Sequence, residues 1–270
     1  MRDVVEKVVD SLKDTHGLEA IVLGGSRARG THSSDSDIDI GLYYNSDKID
    51  FSLLEKKAQE LDQEHRVNLL AKPGEWGKWQ NGGCWITIDN LPVDFILRDL
   101  SRVQKAIQEG QEGVVTPHYQ TGHPHAYFNV MYMGELAVCK LLWHKSDEIC
   151  KLKSIAEKYP PHLKAEIIHL FSFETGFSLM LAEKNIPRDD SYYVVAHLVR
   201  SISALNQVLF ALNEQYCINE KKAVKMIDTF AIRPDNYKNR VDVIFTLAGT
   251  DLAKSCYYLN ELIADVNSLL

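Results

Sequence analysis

Two aspartates, Asp37 and Asp39, alternate with Ile38 and Ile40 a short polar stretch downstream of Gly24-Gly25-Ser26. In a strand, residues two apart share a face. Asp37 and Asp39 therefore project together while Ile38 and Ile40 enter a core. Two carboxylates a few ångströms apart repel each other, and a divalent cation is the usual way to stabilise them. A glycine turn just upstream can offer backbone N–H groups to a phosphate. The residue types and spacing describe a place for a metal ion and a nucleotide phosphate.

These residues need a particular frame. An apolar run, Ala20-Ile21-Val22-Leu23, must end at the glycines as a strand covering Leu18 to Leu23, and a second strand must run from Asp37 to Tyr44. Val4, Val5, Val8, Val9 and Leu12 mark one face of a preceding helix that ends at His16-Gly17. The segment after Ser26 starts a short helix through Arg29, and Arg27 and Arg29 are within reach of a phosphate or simply exposed beside a turn. The spacing of Phe51, Leu54, Ala58 and Leu61 predicts a helix over 49–64. The loop from Lys72 to Gly83 carries Trp76 and Trp79, which suit either a stacking wall or anchors for a long loop. Cys84 to Ile88, a turn at Asp89-Asn90, and Leu91 to Leu97 read as a hairpin. Within its second strand Val93, Phe95 and Leu97 share one face, so Asp94 lies on the other with Ile96. An acid in a buried strand is costly unless paired or metal-bound.

Gly25-Ser26, a spacer of about ten residues, and Asp37-Ile38-Asp39 on a second strand resemble the motif of the nucleotidyltransferase superfamily, the polymerase-beta-like enzymes. The antibiotic (aminoglycoside and lincosamide) nucleotidyltransferases are among its members. The resemblance covers residues 18 to 98. It implies an α+β chain, with an N-terminal mixed-sheet catalytic domain over 1–115 and a C-terminal α-helical bundle over 122–270 on the acceptor side. It also implies the reaction: an acceptor hydroxyl attacks the α-phosphorus of a nucleoside triphosphate and pyrophosphate leaves, with two Mg²⁺ ions countering charge at both oxygens. On that pattern Asp37 and Asp39 ligate metal, and Gly25, Ser26 and Ser36 hold the triphosphate. Asp94, matched by context to the third carboxylate, completes the second metal site or serves as general base. A metal-rich site should depress its pKa. Some aminoglycoside-modifying relatives place their base on a helix of the second domain, which makes Glu135 a rival to Asp94; a buried ion pair is its other reading. Asn213 to Lys222 faintly resembles a streptomycin-type segment in which a lysine reaches the phosphates, and this marks Lys221, otherwise a solvated lysine.

Beyond the Pro/Gly-rich stretch Gly113 to His125 the texture turns helical. Helices are expected over 128–144, 147–159, 161–184, 189–213, 220–230, 237–248 and 252–270, with Asp189 and Asn219 as N-caps. His123 and His125 lie in the boundary loop, isolated from further metal ligands. Apolar residues make up 45% of the 270 residues and charged ones 25%, enough for a sizeable core. Net charge is −7 and the pI about 5.8, which argues against an extended nucleic-acid surface. The five cysteines form no Cys-x-x-Cys pair and read as reduced thiols, neither a disulfide frame nor a zinc site. No apolar run reaches the length of a membrane span. This composition suits a cytoplasmic protein without nucleic-acid partners, and the resemblance implies an adenylyltransferase placing AMP from ATP on a small antibiotic-like hydroxyl acceptor, as a monomer or homodimer. Transfer to a protein or RNA target, as in toxin–antitoxin pairs, and non-catalytic nucleotide binding are the rival functions.

Overall fold

The computed structural model describes residues 2–33 and 36–270; Ser34 and Asp35, part of the polar turn before Asp37, lie outside them. Helix α1 (Arg2–Leu12) leads to strand β1 (Leu18–Leu23), and Gly17 between them takes a φ of 81°. A Cβ on Gly17 would fall 2.3 Å from the Ile49 backbone, so glycine is needed for that close approach. Short helix α2 (Gly25–Arg29), strand β2 (Ile38–Tyr44) and helix α3 (Phe51–Leu61) follow. Asp50 caps α3 by accepting from Leu53 N at 2.9 Å. Strands β3 (Gly83–Ile88) and β4 (Leu91–Asp99) form the expected hairpin, with Asp89 and Asn90 both at positive φ, and α4 (Leu100–Gln111) follows directly.

Helix α5 covers only Met131–Val138. The chain then turns extended as β5 (Lys140–His144) before α6 (Glu148–Ala156). The helix expected over 128–144 is thus half strand. An apolar run from Val130 to Trp143 satisfies either geometry, and the edge of β1 supplies the backbone partners that decide it: Leu23 pairs with Lys140 and Ala20 with His144. The sheet runs β3-β4-β2-β1-β5, antiparallel throughout except for the parallel pair β2–β4, and is therefore mixed. One face buries Ile21, Leu23, Ile38, Ile40, Leu42, Val93, Phe95 and Leu97 against α1 and α3. Asp62, fully buried at the end of α3, grips Arg66 through both oxygens and accepts from Thr87 N at 3.0 Å, fastening that helix to β3.

The remaining chain is helical: α7 (Pro161–Asn185), α8 (Ser191–Leu212), α9 (Ala223–Ile227), α10 (Tyr237–Ala248) and α11 (Leu252–Asn267). Helices α7 and α8 are joined by Ser201 Oγ donating to Thr175 O, α8 and α10 by Tyr237 Oη donating to Asn206, and α10 and α11 by Ser255 Oγ donating to Ile244 O. By length and composition α8 suffices to cross a membrane; two thirds of that window is buried inside the helical region, as in a core helix. Two N-caps differ from expectation. Asp190, not Asp189, caps α8, because Asp189 is used in a left-handed turn closing the segment before it. Asn219 caps no helix: its side chain accepts from Lys221 N, and α9 starts later, behind a left-handed Lys222.

Two compact units result. The first comprises residues 1–109, 118–122 and 132–158, and the second 110–117, 123–131 and 159–270. The segment carrying β5 and α6 lies with the sheet, because β5 completes it.

Candidate active site

β1 ends where its backbone must turn sharply, and Gly24 N donates to Asp39 O at 2.8 Å across the β1–β2 pair. Gly25 follows with φ of 58°, and a Cβ there would fall 1.7 Å from Asp39 Oδ2. Any side chain at 25 would occupy the space of the Asp39 carboxylate. The glycine is thus demanded twice, by backbone conformation and by the acid it faces. Ser26 sits half-buried in the first turn of α2. The buried Arg27 does not extend toward a ligand: its Nε donates to Ser36 O at 3.1 Å and to Asp37 O at 3.0 Å. It secures the backbone that delivers Asp37 to the head of β2. Ser36 Oγ accepts from Ser33 N and contacts Ser33 Oγ, both at 3.0 Å.

Along β2, Ile38 and Ile40 are buried in the core and Asp39 is half-buried on the opposite face. β4 runs parallel with Asp39 and Asp94 as direct register partners, so their side chains project from the same face. Burial first, then the charges of Asp39 and Asp37, push the Asp94 carboxyl up to about 6. Burial is the larger cause and the charges of the two neighbouring carboxylates add to it. An all-oxygen donor set that repels itself is suited to a hard divalent cation, so the residues fit the metal implied by the motif.

β3 places Trp85 opposite Asp94 on the other neighbouring strand. Trp85 is 62% exposed, and Trp76 stacks on it with ring centroids 4.4 Å apart and planes at 19°. The two rings, with Glu75, Gln80, Asp94 and Ile96, line a pocket of about 530 Å³. Of the two loop tryptophans, Trp76 therefore forms a wall. Trp79 is an anchor: it is buried, stacked on His118, and its backbone N–H and that of Gln80 donate to Gln120 Oε1. Trp85 escaped notice in the sequence because its strand alternation marks it only as outward-facing; its stacking partner comes from a distant loop.

Glu135 is not placed as a base. Its two oxygens accept from Arg98 Nε at 2.7 Å and Nη2 at 2.8 Å, and the Arg98 side chain is 4% exposed. A carboxylate clamped by a guanidinium on both oxygens is a poor proton acceptor, and the ion-pair reading of Glu135 is the arrangement found. Lys221 is exposed in the helical unit. His123 and His125, also there, are buried and engaged: His123 Nδ1 meets Glu220 at 2.9 Å and His125 Nε2 meets Glu174 at 3.1 Å. Nothing in the spacing of these residues along the chain signals those pairings.

Residues 5–112 match the model of the nucleotidyltransferase domain family. Among solved structures, a nucleotidyltransferase-like protein from Exiguobacterium sibiricum is 7% identical with a TM-score of 0.45; the alignment covers 100% of this chain and 74% of that one. The CdnC:HORMA-deltaN complex from E. coli MS115-1 is 14% identical with a TM-score of 0.25, covering 98% and 89%. No curated protein matches the chain. Glycine turn and strand-borne aspartates fall within the stretch, residues 5–112, that matches the nucleotidyltransferase domain family.

Proposed function

We propose that the protein transfers a nucleoside monophosphate, AMP from ATP, to a hydroxyl of a small acceptor of the aminoglycoside or lincosamide antibiotic type, releasing pyrophosphate. The observation that carries this reading is the register of Asp39 with Asp94, with Asp37 heading the same strand and Gly25-Ser26 at its flank. In this reading Asp37 and Asp39 hold Mg²⁺, and the Gly25 backbone and Ser26 hold the terminal phosphates. The ions supply charge stabilisation at the attacking and leaving oxygens. Asp94, in register with Asp39 and lining the adjoining pocket, takes the proton of the acceptor hydroxyl. The pocket beside Asp94 receives the acceptor, whose ring faces or apolar edge lie on Trp85 and Trp76. Exposed Glu75 at the same pocket suits a cationic acceptor.

Incubation with ATP, Mg²⁺ and an antibiotic panel, scoring pyrophosphate release, tests the reading. Turnover with one acceptor class is expected. Absence of turnover with every small hydroxyl acceptor, alongside labelling of lysate proteins or RNA by labelled ATP, would move the assignment to a macromolecular target. Trp85→Ala should raise the KM for the acceptor about tenfold with kcat little changed, as for loss of a contact made equally in ground and transition states. The phosphate role expected of Lys221 is checked by Lys221→Ala, which should raise the KM for nucleotide.

A further inference from the structure

At the opposite end of β1 from the glycine turn, β5 finishes at His144 and α6 begins after Asp147. One ligand atom from each of His144, Asp147 and Cys150 falls within 4.8 Å of the others. We propose that these three residues form a binding site for Zn²⁺, separate from the aspartates of β2 and β4.

Three features of the local geometry carry this. First, His144 Nδ1 lies 3.1 Å from Ser146 O. Backbone carbonyl oxygen only accepts, so Nδ1 carries the proton and Nε2 presents its lone pair. That is the usual fixation of a metal-bound histidine by its other nitrogen. Second, Nε2 already faces Cys150 Sγ at 3.6 Å. Ligands around tetrahedral Zn²⁺ sit roughly 3.3–3.5 Å apart, given Zn–N near 2.0 Å and Zn–S near 2.3 Å, so closing the set takes only small side-chain rotations. Third, Asp147 occupies the N-cap of α6 yet makes no side-chain capping bond. The neighbouring cation does not claim it either: Lys145 Nζ is directed to Glu19 at 3.4 Å. An aspartate at an N-cap ordinarily binds the helix's own N–H groups; here its carboxylate is turned toward a histidine and a thiol.

The donors select the ion. Sulfur, imidazole nitrogen and a single carboxylate suit Zn²⁺ and its neighbours in the first transition row, whereas Mg²⁺ prefers oxygen throughout. Three protein ligands leave the fourth position for water or a group from another molecule. Cys150 is partly accessible and its two fellow ligands are exposed, so the ion enters without unfolding. Its effect is to clamp the last residue of an edge strand to the first turn of the following helix.

The test uses full-length, chelator-treated protein titrated with Co²⁺ as a spectroscopic stand-in. One equivalent should give a thiolate-to-cobalt charge-transfer band with visible bands of tetrahedral intensity, and Zn²⁺ should displace both. Cys150→Ser should abolish the charge-transfer band. His144→Gln and Asp147→Asn should each weaken Zn²⁺ binding by about 10-fold or more, the loss that even outer partners of zinc ligands cause. Asp37→Asn with Asp39→Asn should leave the spectrum intact. His144 and Asp147 are exposed and Cys150 is partly accessible, and unchanged thermal melts of the metal-free variants verify folding. No charge-transfer band at one equivalent, a band surviving in Cys150→Ser, or a site lost with the β2 aspartates would overturn the proposal.

Discussion

The three clustered aspartates of the sheet and two glutamates of the helical unit, Glu174 and Glu220, are in opposite electrostatic situations. In the sheet, Asp37, Asp39 and Asp94 converge, and burial and mutual repulsion raise the Asp94 carboxyl to about 6. In the helices, burial works in the same direction on Glu174 and Glu220, but their partners outweigh it. The hydrogen bond and charge of His125, with Arg200, hold Glu174 below the ordinary range, and His123 does so for Glu220. Glu174 and Glu220 find their counterparts, His125 with Arg200 and His123, within the helical unit. The sheet unit gathers carboxylates whose natural counterpart is a divalent cation. Strain of one kind at one place, and its absence elsewhere, separates acids kept for chemistry from acids kept for structure.

The largest expected break of this contrast is Asp39→Asn. Pyrophosphate release should fall about 10³-fold or more, while the melting temperature stays level or rises, since one of three mutually repelling charges is gone. Gly25→Ala should cost similar activity by displacing the Asp39 carboxylate, and in addition about 1 kcal/mol of stability for a side chain at φ of 58°. A clear drop in stability for Asp39→Asn would mean that the aspartates are structural and the contrast false.

Glu135→Gln should show the reverse pattern. Leaving buried Arg98 without its carboxylate is expected to cost about 2–4 kcal/mol in chemical denaturation, with kcat of the folded fraction within a few-fold of wild type. If activity vanished while stability held, Glu135 would join Asp94 among the catalytic acids, and the division would run through the sheet unit itself.

How far this was legible depended on how local the determinant is. β1 (Leu18–Leu23) and α10 (Tyr237–Ala248) begin and end where glycine, proline and apolar spacing put them. Asp39 and Asp94 were readable because each sits in strict alternation with core residues, so its face is fixed by its neighbours two positions away. β5 was not readable, because Val130 to Trp143 is apolar but for Glu135 and Lys140 and only the open edge of β1 selects strand over helix. The partners of His123 and His125 stand 97 and 49 residues away. The stack of Trp76 on Trp85 needs a loop and a strand to meet. The His144–Cys150 contact depends on where β5 stops. Each of these is a product of tertiary pairing, for which one sequence has no periodicity to show.

The smallest effect expected lies in the pH dependence of the helical unit. Glu174 and Glu220 have folded pKa values below the unfolded 4.5. A carboxyl that binds its proton less tightly when folded stabilises the fold fully above its unfolded pKa, and the contribution fades as pH falls through the depressed folded value. Thermal melts of wild type and of Glu174→Gln with Glu220→Gln should therefore differ at about pH 5, above the unfolded carboxyl value, with the variant less stable. The gap should narrow below about 4.5 as the wild-type carboxyls take up protons and come to resemble the amides. About 1–2 kcal/mol is at stake for the two partly buried pairs together. A gap that persists undiminished to pH 3 would show that these glutamates act through packing and hydrogen bonds that survive protonation, and the compensation ascribed to His123, His125 and Arg200 would then not be electrostatic.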